Sequence, residues 1–92
     1  MIRLRGQLIC MNGEDRETVL AHVQDHITLT RAEPGCLSFE ISETEDPFTF
    51  EVMESFRDRA GFEAHQARTR ASDWFAATRG ILRDFRVEEI GD

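Results

Sequence analysis

The chain has 92 residues, which is enough for one domain, residues 1–92, and leaves no room for a second. At 40% hydrophobic and 32% charged it is a folding composition rather than a disordered one, although a chain this short buries only roughly 60–65% of its unfolded surface. A net charge of −7 without any basic run excludes a nucleic-acid binder, which needs concentrated positive charge against phosphate.

No apolar run approaches the ~20 residues of a membrane span. The start, Met1-Ile2-Arg3-Leu4-Arg5, is too charged for the apolar core of a signal peptide, so the expected location is cytoplasmic. Alternation then predicts a first strand from Ile2 to Met11, with Ile2, Leu4, Leu8 and Cys10 on the apolar face. Gly6 interrupts that face and marks a bulge or a close backbone approach. Asn12-Gly13 reads as a turn and Asp15 as the N-cap of a helix running to about Arg31, with a core stripe of Leu20, Val23, Ile27 and Thr30 and Val19 on its flank. Pro34-Gly35 ends it, with glycine placed for the positive φ of a type II turn.

A second strand, Cys36 to Glu43, points Leu37, Phe39 and Ile41 to one side. After the acidic turn Glu45-Asp46-Pro47 comes a third, Phe48 to Phe56, on which Phe48, Phe50, Val52, Glu54 and Phe56 share a face. Asp58 is placed to cap a helix to about Thr69, Ser72 or Asp73 to cap another helical piece, and Gly80 to stand at its C′ position. Phe85 to Ile90 is the last predicted strand. The order β-α-β-β-α-β is that of a ferredoxin-like α+β fold with one four-stranded antiparallel sheet. Helices on one side leave the other open, and Ile9, Met11, Met53 and Ile90 make that side apolar enough to expect a homodimer through it.

Several residue types carry candidate chemistry. His65 follows Phe62 by three residues and so lies on the apolar side of its helix, either as a space-filling ring capped by a backbone carbonyl or as a base. Glu54 shares the inward parity of the third strand, where it is either ion-paired with Arg57 or Arg83 or a proton acceptor. His22 and His26 stand at i, i+4 but lack a third ligand, so no metal site is expected, while His26 beside Ile27 is placed to line a pocket. Trp74 and Phe75 read as core, Trp74 being the better placed to stack on a flat substrate. Arg68 and Arg70 read as solvated, where either could steer an anionic substrate. Cys10 and Cys36, without metal-type spacing, read as small packing residues.

The turn Glu33-Pro34-Gly35-Cys36, the strand Leu37-Ser38-Phe39-Glu40 and the run Glu54-x-Phe56-x-Asp58 leading to His65 resemble the antibiotic biosynthesis monooxygenase family over nearly the whole chain. That resemblance implies a dimeric α+β barrel and, for the oxygenase members, oxidation of a quinol or polycyclic phenol by O2 with no cofactor. The Asn–Trp–His set of haem-degrading relatives is missing, since His65 stands where their Trp would be, and the Tyr used by one oxygenase branch is absent from the chain. On this basis His65 is expected as base or orienting donor, with Glu54 and His26 assisting and Phe39, Phe50 and Trp74 walling the pocket. The partners expected are a small aromatic substrate, O2 and a second copy of the chain. Two alternatives stay open: an isomerase of a small carbonyl compound using the same proton chemistry, and a non-catalytic dimer that binds a small molecule.

Overall fold

The structure is a computed structural model that describes residues 1–91. Its elements are β1 (Ile2–Ile9), α1 (Gly13–Arg31), β2 (Cys36–Glu43), β3 (Thr49–Phe56), α2 (Arg59–Arg70), α3 (Asp73–Thr78) and β4 (Leu82–Glu89). All strand pairs are antiparallel, and the sheet order β2-β3-β1-β4 is that of the ferredoxin-like plait. The helices cover one face. Beneath them Ile2, Leu4 and Leu8 of β1 meet Phe50, Val52 and Phe56 of β3, with Val19, Phe62 and Trp74 closing the core from above.

Local chemistry explains most boundaries. Asn12, not Asp15, caps α1: its side chain accepts the Asp15 N–H at 2.9 Å, and Asp15 in return accepts the Met11 N–H at 3.0 Å. Asp58 caps α2 through the Gly61 N–H at 2.8 Å, and Ser72 caps α3 through the Phe75 N–H at 3.2 Å, both as expected. The buried stripe of α1 is Val19, Val23, His26 and Thr30, rotated from the expected one, so that Leu20 is 44% exposed. Two of its four members are polar, which is why hydrophobicity alone misplaces the face.

Three strand details also differ. A bulge between Cys36 and Ser38 shifts the β2 register, turning Leu37 outward while Phe39 stays buried. Phe48 lies before β3 and is exposed, and β4 begins at Leu82 rather than Phe85. No described residue has positive φ. Gly80 does occupy the C′ position, but without the left-handed conformation. Pro34-Gly35 likewise forms a turn closed by the Cys36 N–H on the Glu33 carbonyl at 3.1 Å, with no type II geometry. Gly35 is needed for another reason. A Cβ there would sit 2.9 Å from the Gly61 Cα, so this turn packs backbone to backbone on the first turn of α2.

The open face of the sheet is more charged than its alternation suggested. Met53 is exposed and Ile9 and Ile90 are half-buried, but Met11 lies beyond β1, and across the β1–β4 ladder Arg5 stands directly opposite Arg86. Like charges facing each other on a ladder are unfavourable unless a further group screens them.

Gly6 tests the sheet. A Cβ at Gly6 would lie 2.0 Å from the Asp84 carbonyl oxygen, so Gly6→Ala should force β1 and β4 apart. Urea unfolding should show a loss of about 1–3 kcal/mol or more. Gly13→Ala, where a Cβ meets nothing within 4 Å, should instead be neutral or stabilise by about 0.4–1 kcal/mol.

Candidate functional site

A cavity of about 230 Å³ lies between the sheet and the helices, lined by His26, Phe39, Glu54, His65 and Trp74 among others. Five of the six residues expected at the site therefore meet there. Phe50 does not. It faces the core toward the far end of β3, beneath the Arg16 guanidinium, 5.6 Å from its ring centre. Same-face parity on a strand cannot tell one end of a layer from the other.

His65 is the centre of the arrangement and is 2% exposed. Its Nδ1 lies 2.9 Å from Glu33 Oε1, and Glu33 Oε2 in turn accepts from Arg68 Nε. Arg68 also donates to Thr30 Oγ1 at 2.9 Å. A carboxylate on Nδ1 selects the tautomer that carries its proton there, which leaves Nε2 as an acceptor. Nε2 is 3.4 Å from Thr69 Oγ1 and 3.6 Å from Glu54 Oε1. The ring is thus capped by a side chain, not by the backbone carbonyl that a space-filling histidine would use.

On sequence alone Glu33 has no role at the site, and Arg68 reads as a solvated residue that could steer an anionic substrate. Glu33 reaches His65 because the Pro34–Gly35 turn docks on Gly61, one helical turn before His65. A charge in the family-like Glu33-Pro34-Gly35 run was the available signal. Arg68 is half-buried rather than solvated, for the same reason.

Glu54 is 6% exposed and flanked in the ladder by Leu4 and Phe39, so its carboxyl meets apolar neighbours on both sides. Neither expected ion pair forms: Arg57 donates to the Pro34 carbonyl, and Arg83 to the Thr78 and Ile81 carbonyls. Burial, reinforced by the charge of Glu33, pushes the Glu54 pKa up to about 8. Its Oε1 has no hydrogen-bond partner. Burial also lowers His65, against the opposing pull of Glu33. The Glu54–His65 contact is therefore one between largely neutral groups at pH 7, not a salt bridge.

His26 stacks on Trp74 with ring centres 4.9 Å apart and an angle of 6°, and meets Phe39 edge-on at 5.2 Å. Burial, then the charges around His65, Arg68 and Arg83, push its pKa down to about 3, and its Nδ1 has no partner. The His26–Trp74 pair also borders a larger open groove on the outer side, shared with His22 and Asp25. Of the unpartnered atoms His26 Nδ1 and Glu54 Oε1, that groove is bordered only by the histidine, whereas both side chains line the inner cavity. Among the described residues no three His, Cys, Asp or Glu side chains are grouped as metal ligands. Cys10 and Cys36 are free thiols whose pKa values burial raises, in keeping with packing roles. Among the described residues no helix is long and apolar enough to cross a membrane.

The shifted groups make stability depend on pH. Glu54 keeps its proton in the native state up to about pH 8 but loses it near 4.5 when unfolded, so its contribution is present at low pH and disappears as pH rises through 8. His26 has the opposite sign, its contribution falling only as pH drops below 6.5 toward 3. The two windows overlap between pH 4.5 and 6.5; from 6.5 to 8 His26 and His65 are mostly neutral in both states and Glu54 dominates. Lowering the pH from 8 to 6.5 should raise the unfolding free energy by roughly 1–2 kcal/mol, and Glu54→Gln should flatten that slope in urea titrations at both pH values.

Among curated proteins, none is similar enough to match. Solved structures share the fold. A Mycobacterium tuberculosis protein is 22% identical over 99% of this chain and 95% of its own, with a TM-score of 0.76. A Deinococcus radiodurans protein described as a candidate antibiotic biosynthesis monooxygenase is 22% identical over 100% and 94%, with a TM-score of 0.77. A Nitrosomonas europaea protein of unknown function is 22% identical over 97% and 87%, with a TM-score of 0.78. The sequence model of the antibiotic biosynthesis monooxygenase family matches residues 7–77, from the last residues of β1 into α3, and includes every side chain of the Glu33–His65–Glu54 set. The chain belongs to that family.

Proposed function

We propose that the protein is a cofactor-independent monooxygenase that oxidises a single-ring hydroquinone with O2. One observation carries this: a histidine held at Nδ1 by a carboxylate lines an aromatic-walled cavity with its Nε2 engaged only by a long 3.4 Å contact to Thr69 Oγ1, beside a carboxyl held neutral by burial. At about 230 Å³ the cavity is smaller than the ~300–1,000 Å³ of drug-sized pockets, which favours one ring over a polycyclic phenol.

His65 Nε2 takes the proton of a substrate hydroxyl, and Glu33, 2.9 Å from Nδ1, stabilises the imidazolium that forms. Glu54, still protonated at pH 7, donates to the developing phenolate oxygen, a task for which an ionised carboxylate would be useless. Phe39 and the His26–Trp74 stack exclude water and hold the ring flat. The electron-rich anion then reduces O2. One oxygen atom enters the ring carbon, the other leaves as water, and the hydroquinone becomes a hydroxyquinone, so atoms and electrons balance without a further reductant.

Oxygen-electrode assays with a panel of hydroquinones test this reading. His65→Ala should slow O2 uptake about 10²–10⁴-fold. Glu54→Gln, which keeps a neutral donor, should retain much of the rate, whereas Glu54→Leu should lose it; a rate abolished equally by both would make Glu54 the base instead. Substrate turnover that is unchanged under nitrogen would replace the oxygenase with an isomerase, and tight binding without product would leave only a container.

The open sheet face supports a homodimer as part of the same reading. The facing Arg5–Arg86 pair is relieved if acidic residues such as Glu51 or Asp84 of a second copy lie over it. Arg5→Glu combined with Met53→Arg should then shift the protein from dimer to monomer in sedimentation equilibrium, and a wild type that sediments as a monomer would remove this part.

A further inference from the structure

The chain carries 18 acidic residues against 11 basic ones, yet the fully charged side chains lining its cavity are two arginines, Arg70 and Arg83. Four arginines are half-buried: Arg3, Arg16, Arg68 and Arg83. Three of them pair with a carboxylate, Arg3 with Glu88, Arg16 with Glu43 and Arg68 with Glu33. Arg83 alone, among the described residues, has none. A guanidinium taken partly out of water without an anion is unfavourable, and in so acidic a chain a partner would have been easy to supply.

The Arg83 side chain is nevertheless held in place. Nη1 donates to the Thr78 carbonyl at 2.7 Å and the Ile81 carbonyl at 3.0 Å, and Nη2 donates to Thr78 Oγ1 at 2.6 Å. Thr78 thus takes the end of the fork through its two oxygens. The Nε–H and one Nη2–H are left over, the two parallel donors on the side of the group that match a carboxylate. Arg83 stands opposite Leu8 on the inner face of the sheet, in the strand that the helices leave uncovered, as the exposure of Phe85 and Val87 shows. Exposed Arg70 on α2 and Phe85 on β4 both belong to the cavity lining, so its mouth lies between these two elements.

We propose that the cavity takes an aromatic substrate bearing a carboxylate, gripped by the free edge of Arg83 and drawn in by Arg70 at the mouth. This rests on the cavity being the substrate site, but not on the reaction being an oxygenation. The ring hydroxyl is then left to face His65 and Glu54, while the acid group is anchored on the β4 side.

Isothermal calorimetry with 2,5-dihydroxybenzoate and its methyl ester, at low salt and under nitrogen, separates charge from shape. The acid should bind about tenfold more tightly than the ester or better, the range expected for a charge-assisted hydrogen-bond pair. Arg83→Gln should reduce that preference to about threefold or less while affecting the ester little. Should Arg83→Gln fail to show native far-UV circular dichroism, Arg83→Lys, which keeps the charge without the fork, and the exposed Arg70→Gln should each lower the preference in a folded background. Equal affinity for acid and ester, no binding of either, or a preference that survives all the folded variants would overturn the proposal. Tight, Arg83-dependent binding of the acid with no O2 uptake in air would keep it and remove only the oxygenase reading.

Discussion

A single contact, His65 Nδ1 to Glu33 Oε1, ties together elements that the sheet alone would leave independent. Glu33 belongs to the turn between α1 and β2, His65 to the middle of α2, and Arg68 binds the same carboxylate while also reaching Thr30 on α1. The contact depends on a backbone constraint. Gly35 and Gly61 approach so closely that a methyl group at Gly35 would overlap the Gly61 Cα, and Arg57 reinforces the junction by donating to the Gly35 carbonyl from its backbone and to the Pro34 carbonyl from its side chain. Two glycines therefore decide whether a carboxylate can stand behind the histidine at all.

Everything polar in the cavity follows from that arrangement. With Glu33 already engaged by Arg68 and His65, its charge acts on Glu54 as repulsion, adding to burial and keeping the Glu54 carboxyl protonated. His26 is forced neutral by the same low-dielectric surroundings and by the cations beyond it. The result is a set of ionisable groups held away from their ordinary protonation states, an arrangement that weakens folding and that proteins retain where chemistry or binding requires it. The unpartnered atoms, Glu54 Oε1 and His26 Nδ1, lie in side chains that line the same cavity, where a bound molecule can satisfy them.

Legibility in the sequence was uneven for physical reasons. Strand parity has a strict period of two, so Glu54 could be assigned to the inner face from its neighbours Phe50, Val52 and Phe56 alone. N-cap chemistry is local, which made Asp58 and Ser72 visible as helix starts. At Asn12-Gly13-Glu14-Asp15 two capping residues three apart compete, and the reciprocal bonds that settle the matter do not show in composition. The β2 bulge breaks the parity rule at Leu37, and the α1 face escapes a hydrophobicity pattern because His26 is buried where Ile27 is expected and Leu20 is exposed. Phe50 satisfied every sequence criterion for a pocket wall and still faces the opposite end of the core.

By itself the sequence determined the order of elements, the plait topology and the family, because periodicity, caps and turn residues act over a few positions and agree with one another. It also placed His65 and Glu54 on inward faces. What only the tertiary structure decided was their state and their company: that Glu33, 32 residues before His65, is its partner, that Arg83 leaves Glu54 alone, and that both groups are neutral. Those properties depend on burial and on distances across the sheet and between helices, and neither is a property of any stretch of chain taken alone.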